Sequence, residues 1–174
     1  YYLPAILDLA VRSGDIVETV QTKSELEILG VNDRVQLNHV EREYQRRSAE
    51  QLMRNGTSIA DANRVDIRGT LACGQDVSID INAVFEGKVL LGNGVTIGPN
   101  CVLSNVAVGD GVTIHAMSHL DDAIIGDNCS VGPYARLRPG TVMAAGSRVG
   151  NFVETKKANI GLGSKVNHLS YIGD

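Results

Sequence analysis

Residues 65–103 read VDIRGTLACGQDVSIDINAVFEGKVLLGNGVTIGPNCVL, and every sixth residue of this stretch is apolar, in two series that lie two places apart. The first series consists of Ile67, Cys73, Ile79, Phe85, Leu91, Ile97 and Leu103, and the second of Val65, Leu71, Val77, Ala83, Val89, Val95 and Cys101. A strict period of six fits neither an α-helix nor a coiled coil. The pattern therefore predicts a repeat protein.

The period continues to the end of the chain, with three shifts of one residue. The later apolar positions are Val108, Ile114 and Leu120, then Ile125, Val131, Leu137, Met143 and Val149, and finally Ile160, Val166 and Ile172. Glycine often follows the apolar residue, and the small residues four places further on are Ala135, Thr141, Ser147, Ser164 and Ser170. These features are the hexapeptide signature of a parallel β-helix with three short strands in each coil, and residues 65–174 would form about six coils.

The composition agrees with this prediction and excludes several functions. The 174-residue chain has no Trp, two Phe and a net charge of -4, so its interior must be aliphatic and nothing indicates binding to nucleic acid or to an anionic membrane. It shows no signal peptide and no apolar run long enough to span a membrane. Cys73, Cys101 and Cys129 occupy inward positions without a disulfide or CxxC pattern. We interpret them as core residues, which favours a reducing, cytoplasmic setting.

The sequence before the repeats, residues 1–60, does not follow this period. Residues 2–11 have the apolar spacing of a helix, residues 16–20 are a short β-branched run, and a longer helix is predicted from about Arg34 to Arg54. The predicted apolar stripe of the longer helix is Leu37, Val40, Tyr44 and Leu52, with Glu41, Arg42, Glu43, Arg46, Arg47 and Glu50 outside. At 1.5 Å per residue this helix is about 30 Å long, and we interpret it as a rigid connector.

We predict three parts of the chain: residues 1–33, a connector helix at residues 34–56, and the β-helix at residues 57–174. Residues 1–33 are too few to form a core of their own. At the other end, Ile172-Gly173-Asp174 begins another hexad without a polar cap. We therefore interpret the sequence as an internal fragment.

Four segments of the sequence resemble one enzyme family. They are GVNDR at residues 30–34, GPYARLRPG at 132–140, VGNFVETKK at 149–157 and GSKVNHLSYIGD at 163–174. Together with the connector helix, they resemble the bacterial bifunctional N-acetylglucosamine-1-phosphate uridyltransferases/glucosamine-1-phosphate acetyltransferases over the whole chain. The resemblance implies a mainly β fold, namely a left-handed parallel β-helix of hexapeptide repeats. It would follow the connector helix and the C-terminal remnant of an α/β nucleotidyltransferase domain.

The resemblance also implies two reactions on a homotrimer. The β-helix domain would transfer an acetyl group from acetyl-CoA to the amine of glucosamine-1-phosphate. The N-terminal domain would then couple N-acetylglucosamine-1-phosphate to UTP, giving UDP-N-acetylglucosamine and pyrophosphate. In the family, the coils that hold acetyl-CoA come after the residues present here, so the fragment alone is expected to catalyse neither reaction.

Four residues of the β-helix match family positions with assigned roles. His168 matches the general base, Arg138 and Lys156 match the phosphate-binding positions, and Tyr171 matches a substrate-contacting tyrosine. An imidazole suits a base because it titrates near neutral pH. A guanidinium and an ammonium are suitable partners for a phosphate dianion. From the periodicity alone, each of the four residues would be an ordinary exposed side chain on a strand.

Asn32 matches the family position that binds Mg²⁺ and the nucleotide sugar. Its side-chain oxygen is a suitable ligand for a hard cation, although one ligand does not make a site. In the family, the aspartate that completes the site comes earlier in the sequence than Tyr1. Alternatively, Asn32 or Asp33 caps the connector helix, and both roles can hold together.

A break in the repeat supports the proposed site. The step from Val149 to Ile160 falls one position short of two full repeats, and charged residues such as Glu154 and Lys156 cluster there. Such a break is expected where a site is built. Glu154 would then orient His168 or the substrate amine, or it is simply a carboxylate at the rim.

Two alternative functions of the β-helix would differ from acetyl transfer. The β-helix could be a non-catalytic trimerisation or regulatory module of a sugar nucleotidyltransferase. His115 and His119 raise the question of a histidine zinc site, but no third histidine lies nearby in the sequence. A spacer would not need the four matching residues together, so their joint presence favours the acetyltransferase; they are Arg138, Lys156, His168 and Tyr171.

Overall fold

The hexapeptide period appears in the structure as a stack of parallel β coils, as predicted. The structure is a computed structural model that describes residues 2–173. Within that range, no helix is both long enough and apolar enough to cross a membrane.

The helices are α1 at Ala5–Ser13 and α2 at Arg34–Arg54, and two 3₁₀ helices lie at Glu25–Ile28 and Ala62–Arg64. The strands are β1 Ser58–Ile59, β2 Val65–Cys73, β3 Ser78–Ile79, β4 Ala83–Leu91, β5 Thr96–Ile97, β6 Val102–Ser104, β7 Ala107–Val108, β8 Thr113–Ile114, β9 His119–Asp121, β10 Ala123–Ile125, β11 Ser130–Val131, β12 Arg136–Leu137, β13 Thr141–Met143, β14 Arg148–Asn151, β15 Glu154–Lys156, β16 Asn159–Ile160, β17 Lys165–His168 and β18 Tyr171–Gly173.

The strands stack into three faces. One face is a seven-stranded parallel sheet in the order β1-β3-β5-β8-β11-β14-β17. The other two faces belong to a sheet with the order β16-β13-β10-β7-β4-β6-β9-β12-β15-β18, in which β2 also pairs with β4. This sheet bends around a corner because β4 pairs with β6 near its start and with β7 at its end. The seven stacked strands of the first face agree with the predicted number of about six coils.

The coils of the β-helix have two lengths. Val65 pairs with Ala83 across a coil of three full hexads, whereas Val102 pairs with His119 across a coil that is one position shorter. In the shorter coils, one residue is missing at the corner between the two faces that the larger sheet forms. The left-handed residues at these shortened corners are Asn105, Asp122 and Lys157, with φ angles of 52°, 43° and 47°. The three phase shifts in the sequence are therefore shortenings of the same corner.

The predicted inward positions form the core. In the two series between Val65 and Leu103, only Leu71 and Cys73 are not fully buried. Burial of the apolar series continues as far as Ile160. In the last described coil the inward positions are open to solvent, because no further described coil packs on them.

The cysteines are core residues, as the sequence indicated. Cys101 and Cys129 are buried, Cys73 is half-buried, and all three thiols are free. Burial raises the pKa of the Cys73 and Cys101 thiols above the ordinary value. A thiol with a raised pKa forms little thiolate and is a poor nucleophile.

One corner of the β-helix changes from polar to apolar residues along the stack. Its left-handed residues, with φ between 49° and 60°, are in order Asn82, Asn100, Met117, Tyr134, Phe152 and Leu169. Asparagine is common in this conformation, whereas a bulky residue in it costs about 1–2 kcal/mol. The rings of Tyr134 and Phe152 stack with their centroids 5.1 Å apart. We call the four exposed apolar residues, Met117, Tyr134, Phe152 and Leu169, the corner stripe.

The segment before the β-helix has little regular structure besides α1. The helix begins at Ala5, three residues later than predicted, because Pro4 occupies the N-cap position. Residues 16–20 are exposed and irregular, so the β-branched run does not form a strand. The chain divides into two compact units between Val40 and Glu41.

The bounds of α2 are those predicted, but the predicted apolar stripe is wrong in part. Leu37 and Tyr44 are 54% and 60% exposed, and of the stripe only Leu52 packs against the core of the β-helix. The buried residues of α2 are Gln45 and Ala49. An apolar stripe is the wrong prediction for this helix because the second half of α2 covers the end of the first coil. There, the edge of a strand presents polar backbone groups that need hydrogen-bonding partners.

Gln45 satisfies this strand edge. Its Nε2 donates a hydrogen bond to the carbonyl of Ile67 at 2.9 Å, and its Oε1 accepts one from the N–H of Ile67 at 2.7 Å. The carboxylate of Glu41 accepts a further hydrogen bond from Nε2 at 2.8 Å. Because β2 pairs with β4 on its other side, the amide of Gln45 takes the place of a neighbouring strand. An apolar residue here would leave both backbone groups of Ile67 without a partner.

Candidate functional site

Strands β9, β12, β15 and β18 lie side by side and present two rows of outward side chains, a surface that we call the site face. The first row consists of His119, Arg136, Glu154 and Tyr171, and the second of Asp121, Arg138, Lys156 and Gly173. Adjacent strands of a sheet are about 4.8 Å apart, so neighbours in a row are within reach of one another. The site face thus brings together Arg138, Lys156 and Tyr171, three of the residues predicted from the sequence.

Arg138 is held through its backbone on both sides. Its N–H donates to the carbonyl of Thr155 at 2.9 Å, and its own carbonyl accepts from the hydroxyl of Thr141 at 2.7 Å. The two threonine hydroxyls lie 3.0 Å apart in the core. The Nη1 atom of Arg138 donates to the carboxylate of Glu154 at 3.1 Å. Because a guanidinium has five N–H donors, this ion pair leaves donors that a ligand can use.

The carboxylate of Glu154 therefore pairs with Arg138 in the structure. The partner predicted from the sequence is instead His168 or the substrate amine. The shortened corner beside Glu154 does not by itself mark a site, since the same shortening occurs at Asn105 and Asp122. The candidate site is marked instead by the grouping of the Arg138–Glu154 ion pair with Lys156 and Tyr171 on the site face.

Lys156 and Tyr171 lie on the two strands beyond Arg138. Lys156 is half-buried and stands opposite Gly173. A β-carbon on Gly173 would lie only 2.8 Å from the hydroxyl oxygen of Tyr171. The tyrosine hydroxyl thus occupies the space that any larger residue at position 173 would need. The absence of a side chain on Gly173 allows Tyr171 to lie across the site face.

His168 stands at the edge of the site face. It ends β17 on the seven-stranded sheet, opposite Asn151, and the chain then turns a corner at Leu169 to enter β18. The hydroxyl of Ser170 donates to the carbonyl of His168 at 2.9 Å and tightens this corner. The imidazole is exposed and forms no hydrogen bond with any residue in the range 2–173. It is therefore available to a ligand, three residues before Tyr171.

A cavity of about 240 Å³ adjoins Arg138 on the side of β9. Its lining residues are His119, Asp121, Arg136, Leu137, Arg138 and Pro139. Neither Asp121 nor Arg136 is among the site residues predicted from the sequence. Counting alternate positions from the inward residue Leu137 would have placed Arg136 and Arg138 on the same outward surface.

Asn32 lies in the other compact unit, where its backbone N–H donates to Oε1 of Gln36 at 2.7 Å. The carboxylate of Asp33 accepts from the N–H of Gln36 at 2.8 Å. Asp33 is therefore the residue that caps α2, which was one of the two alternatives from the sequence. Asn32 is exposed, and neither of these two contacts uses its side-chain oxygen.

Neither metal considered above finds a complete ligand set in the part of the chain that the structure describes. Residues 2–173 contain no group of three or more His, Cys, Asp or Glu side chains that could hold a metal ion. The amide oxygen of Asn32 would supply a single ligand, so these residues do not fit Mg²⁺ on their own. Nε2 of His115 lies 3.1 Å from the hydroxyl of Ser130, and no third histidine joins His115 and His119.

Comparison with known proteins gives a family and a set of relatives. The family described as the GMPPB C-terminal domain matches residues 67–173. The protein named bifunctional protein GlmU is 53% identical over all 174 residues in Marinobacter nauticus, 54% in Burkholderia mallei and 52% in Pseudoalteromonas atlantica. The chain spans 38% of the length of each of these relatives. The resemblance inferred from the sequence motifs is thereby confirmed.

Two solved structures share the fold. The acetyltransferase domain of PglB from Neisseria gonorrhoeae is 18% identical, with a TM-score of 0.57, and the match covers 72% of this chain and 62% of that one. A point mutant of AntD, an N-acyltransferase from Bacillus cereus in complex with dTDP and coenzyme A, is 17% identical, with a TM-score of 0.54 and coverages of 64% and 79%. At these identities the likeness shows the fold alone. The family match extends over more than half of this chain, and the chain therefore belongs to the GMPPB C-terminal domain family.

Proposed function

We propose that this chain carries part of a site that transfers the acetyl group of acetyl-CoA to the amine of glucosamine-1-phosphate. The observation that carries the proposal is the grouping of Arg138, Lys156 and Tyr171 on one face with His168 at its edge. The chain that holds these residues is 52–54% identical to proteins named bifunctional protein GlmU. The acetyltransferase fold of the PglB domain supports the same reaction class.

The phosphate of the substrate would bind between Arg138 and Lys156. A sugar monophosphate carries close to two negative charges, which a guanidinium and an ammonium on adjacent strands can neutralise. The Arg138 side chain is oriented by Glu154 and its backbone by two threonines. A preoriented guanidinium loses little freedom when it binds, which favours a defined position of the phosphate. Tyr171 would contact the sugar beside it.

His168 would act as the general base of this reaction. As the substrate nitrogen attacks the carbonyl carbon of the thioester, the imidazole of His168 accepts a proton from that nitrogen. The carbon–sulfur bond then breaks, and the sulfur of CoA leaves with a proton returned from the imidazole. The products are N-acetylglucosamine-1-phosphate and free CoA thiol. The exposed imidazole at the end of β17 is free to approach the amine of a substrate bound on the site face.

For the whole protein we propose a second reaction, uridylyl transfer from UTP to N-acetylglucosamine-1-phosphate. Residues 1–33 would be the C-terminal part of the uridyltransferase domain, residues 34–56 the connector, and residues 57–174 the acetyltransferase β-helix. Asn32 would contribute one ligand to Mg²⁺ and contact the nucleotide sugar, with the other ligands supplied from outside this chain. The free cysteines suit a reducing, cytoplasmic setting.

A thiol-release assay with the full-length protein tests acetyl transfer. We expect CoA thiol to appear when acetyl-CoA is mixed with glucosamine-1-phosphate. No thiol above the background rate should appear with N-acetylglucosamine-1-phosphate, which has the same phosphate but no free amine. If glucosamine-1-phosphate also gives no thiol, the β-helix is better explained as a non-catalytic trimerisation or regulatory module.

We also propose that the protein is a homotrimer and that the corner stripe lies at the contact between subunits. The four residues of the corner stripe are large, apolar and 47–75% exposed. They hold a left-handed backbone that favours asparagine, so a role in packing against another surface would explain why large apolar residues stand there.

Size-exclusion chromatography with light scattering checks the trimer. We expect three times the monomer mass for the wild type and a shift toward monomer for Phe152→Asn, because asparagine suits the backbone but not an apolar contact. Leu162→Asn, at an exposed leucine outside the corner stripe, is the matched control. A wild-type monomer throughout the micromolar range would contradict the proposal.

A further inference from the structure

Asp121 is an unpaired acid beside two arginines. Its half-buried side chain lines the same cavity as Arg136 and Arg138. Within residues 2–173 its carboxylate nevertheless forms neither an ion pair nor a hydrogen bond, and Arg138 pairs with Glu154 instead. A carboxylate next to guanidinium groups normally gains from pairing with them. The unpaired carboxylate of Asp121 at this cavity is therefore better explained by an effect on a bound ligand than by a role in the fold.

The order of the side chains along the stack fixes a direction for that ligand. His168 and Tyr171 belong to the last described coil, Lys156 to the coil before it, and Arg138 to the one before that. Asp121, on β9, is one strand further in the same direction. If the sugar amine lies near His168 and the phosphate lies between Lys156 and Arg138, any group attached to the far side of the phosphate points toward Asp121. Neighbouring strands are about 4.8 Å apart, so the first atoms of such a group would reach the carboxylate.

Two classes of substrate differ at this point. A sugar monophosphate ends at its phosphate and places nothing beside Asp121. A nucleoside diphosphate sugar carries a second phosphate there, so one of its two negative charges lies on the side of Asp121. Like charges placed face to face oppose binding and are a common means of rejecting a wrong partner.

We infer that Asp121 is a specificity-determining residue, whose carboxylate excludes nucleoside diphosphate sugars from a site that accepts the sugar monophosphate. The inference rests on the proposed function, because that function sets the positions of the amine and the phosphate. It concerns a residue of the cavity and adds no step to the acetyl transfer itself.

The test compares two acceptors in the full-length protein. With acetyl-CoA as donor, kcat/KM is measured for glucosamine-1-phosphate and for UDP-glucosamine in the wild type and in Asp121→Asn. Asparagine keeps the size of the side chain and removes its charge. We expect kcat/KM for UDP-glucosamine to rise about tenfold and that for glucosamine-1-phosphate to change less than about threefold.

Asp122→Asn is the matched control. Asp122 is the adjacent residue of the same type, but it is exposed at the corner and does not line the cavity. We expect its variant to keep the wild-type preference between the two acceptors. An unchanged preference in Asp121→Asn, or an equal change in both variants, would overturn the inference.

A binding measurement separates this inference from the proposed function. Inorganic phosphate and pyrophosphate are titrated into the 174-residue chain while the Nε–H signals of Arg136 and Arg138 are followed by NMR. We expect Asp121→Asn to tighten pyrophosphate binding and to leave phosphate binding unchanged. If the wild type acetylates neither sugar, the proposed function fails and this titration still decides the effect of Asp121. Equal pyrophosphate binding by both proteins would rule it out.

Discussion

Replacement of His168 by alanine is expected to lower the rate of acetyl transfer to glucosamine-1-phosphate by roughly 10²- to 10⁴-fold, the usual contribution of a general base. The amine must lose a proton as it attacks the thioester, and in the variant only water remains to accept it. The side chain is exposed at the end of β17 and forms no hydrogen bond with residues 2–173. Its removal should therefore leave the stability of the fold unchanged.

The measurement is CoA thiol release by the full-length protein, with unfolding curves recorded for the same samples. His115→Ala is the matched control, because His115 is also exposed but contacts Ser130 on another part of the β-helix. A loss of rate in His168→Ala alone, with unfolding curves that coincide, would establish the role of the base. If His168→Ala retains the wild-type rate, the base must be sought elsewhere on the site face.

Replacement of Gly150 by alanine is expected to destabilise the last described coils by about 3 kcal/mol or more, which is the upper range for an overpacked core position. Gly150 is buried, and a β-carbon built on it would lie 1.7 Å from the carbonyl oxygen of Asn167 and 2.7 Å from its carbonyl carbon. Both atoms belong to the backbone of Asn167, so the clash cannot be relieved by the movement of a flexible side chain. The strand that carries Asn167 also carries His168, and we expect its displacement to lower acetyl transfer as well.

Urea unfolding and hydrogen exchange of β17 measure this effect. Gly161→Ala is the matched control, because the nearest atom to its β-carbon would be the side-chain oxygen of Ser164 at 3.3 Å, and its backbone lies outside the left-handed region. We expect the control to stay within about 0.5 kcal/mol of the wild type. Equal unfolding curves for the two alanine variants would contradict the close approach of β14 and β17.

The two variants also separate stability from chemistry. Gly150→Ala should lose stability and acetyl transfer together, whereas His168→Ala should lose acetyl transfer alone. A variant that lost activity in proportion to its folded fraction would report only on the fold. The pair thus distinguishes a residue that acts in the reaction from one that supports the strand beneath it.

Much of the β-helix could be predicted from the sequence, because burial along a strand is a local property. Successive side chains of a strand point to opposite sides, so a fixed apolar period identifies the interior without knowledge of the neighbouring coils. Helix α2 was likewise predicted with its observed bounds, because its stop signal Asn55-Gly56 is also local.

Where the structure differs from the prediction, the role of a residue depends on its neighbours in the folded protein. Gln45 is buried in α2 because the edge of β2 needs a hydrogen-bonding partner, whereas periodicity expects an apolar residue there. The corner stripe holds Tyr134 and Phe152 in a conformation that favours glycine or asparagine. Neither the burial of Gln45 nor the left-handed backbone of Tyr134 and Phe152 can be predicted from the local sequence. Each depends on contacts between separate coils or elements.

Stacked coils over residues 57–174, and the side chains that face inward, can be predicted from the sequence alone, because the alternation along each strand is independent of the next coil. Which charges meet depends on how the coils pack in the folded protein. Asp121 comes before Arg138 and Glu154 after it, at nearly equal distances along the chain, and both acids lie one strand away from the arginine. The arginine pairs with Glu154 across the rows and leaves Asp121 unpaired at the cavity, because the reach of a long side chain depends on how the coils stack and not on its distance along the chain.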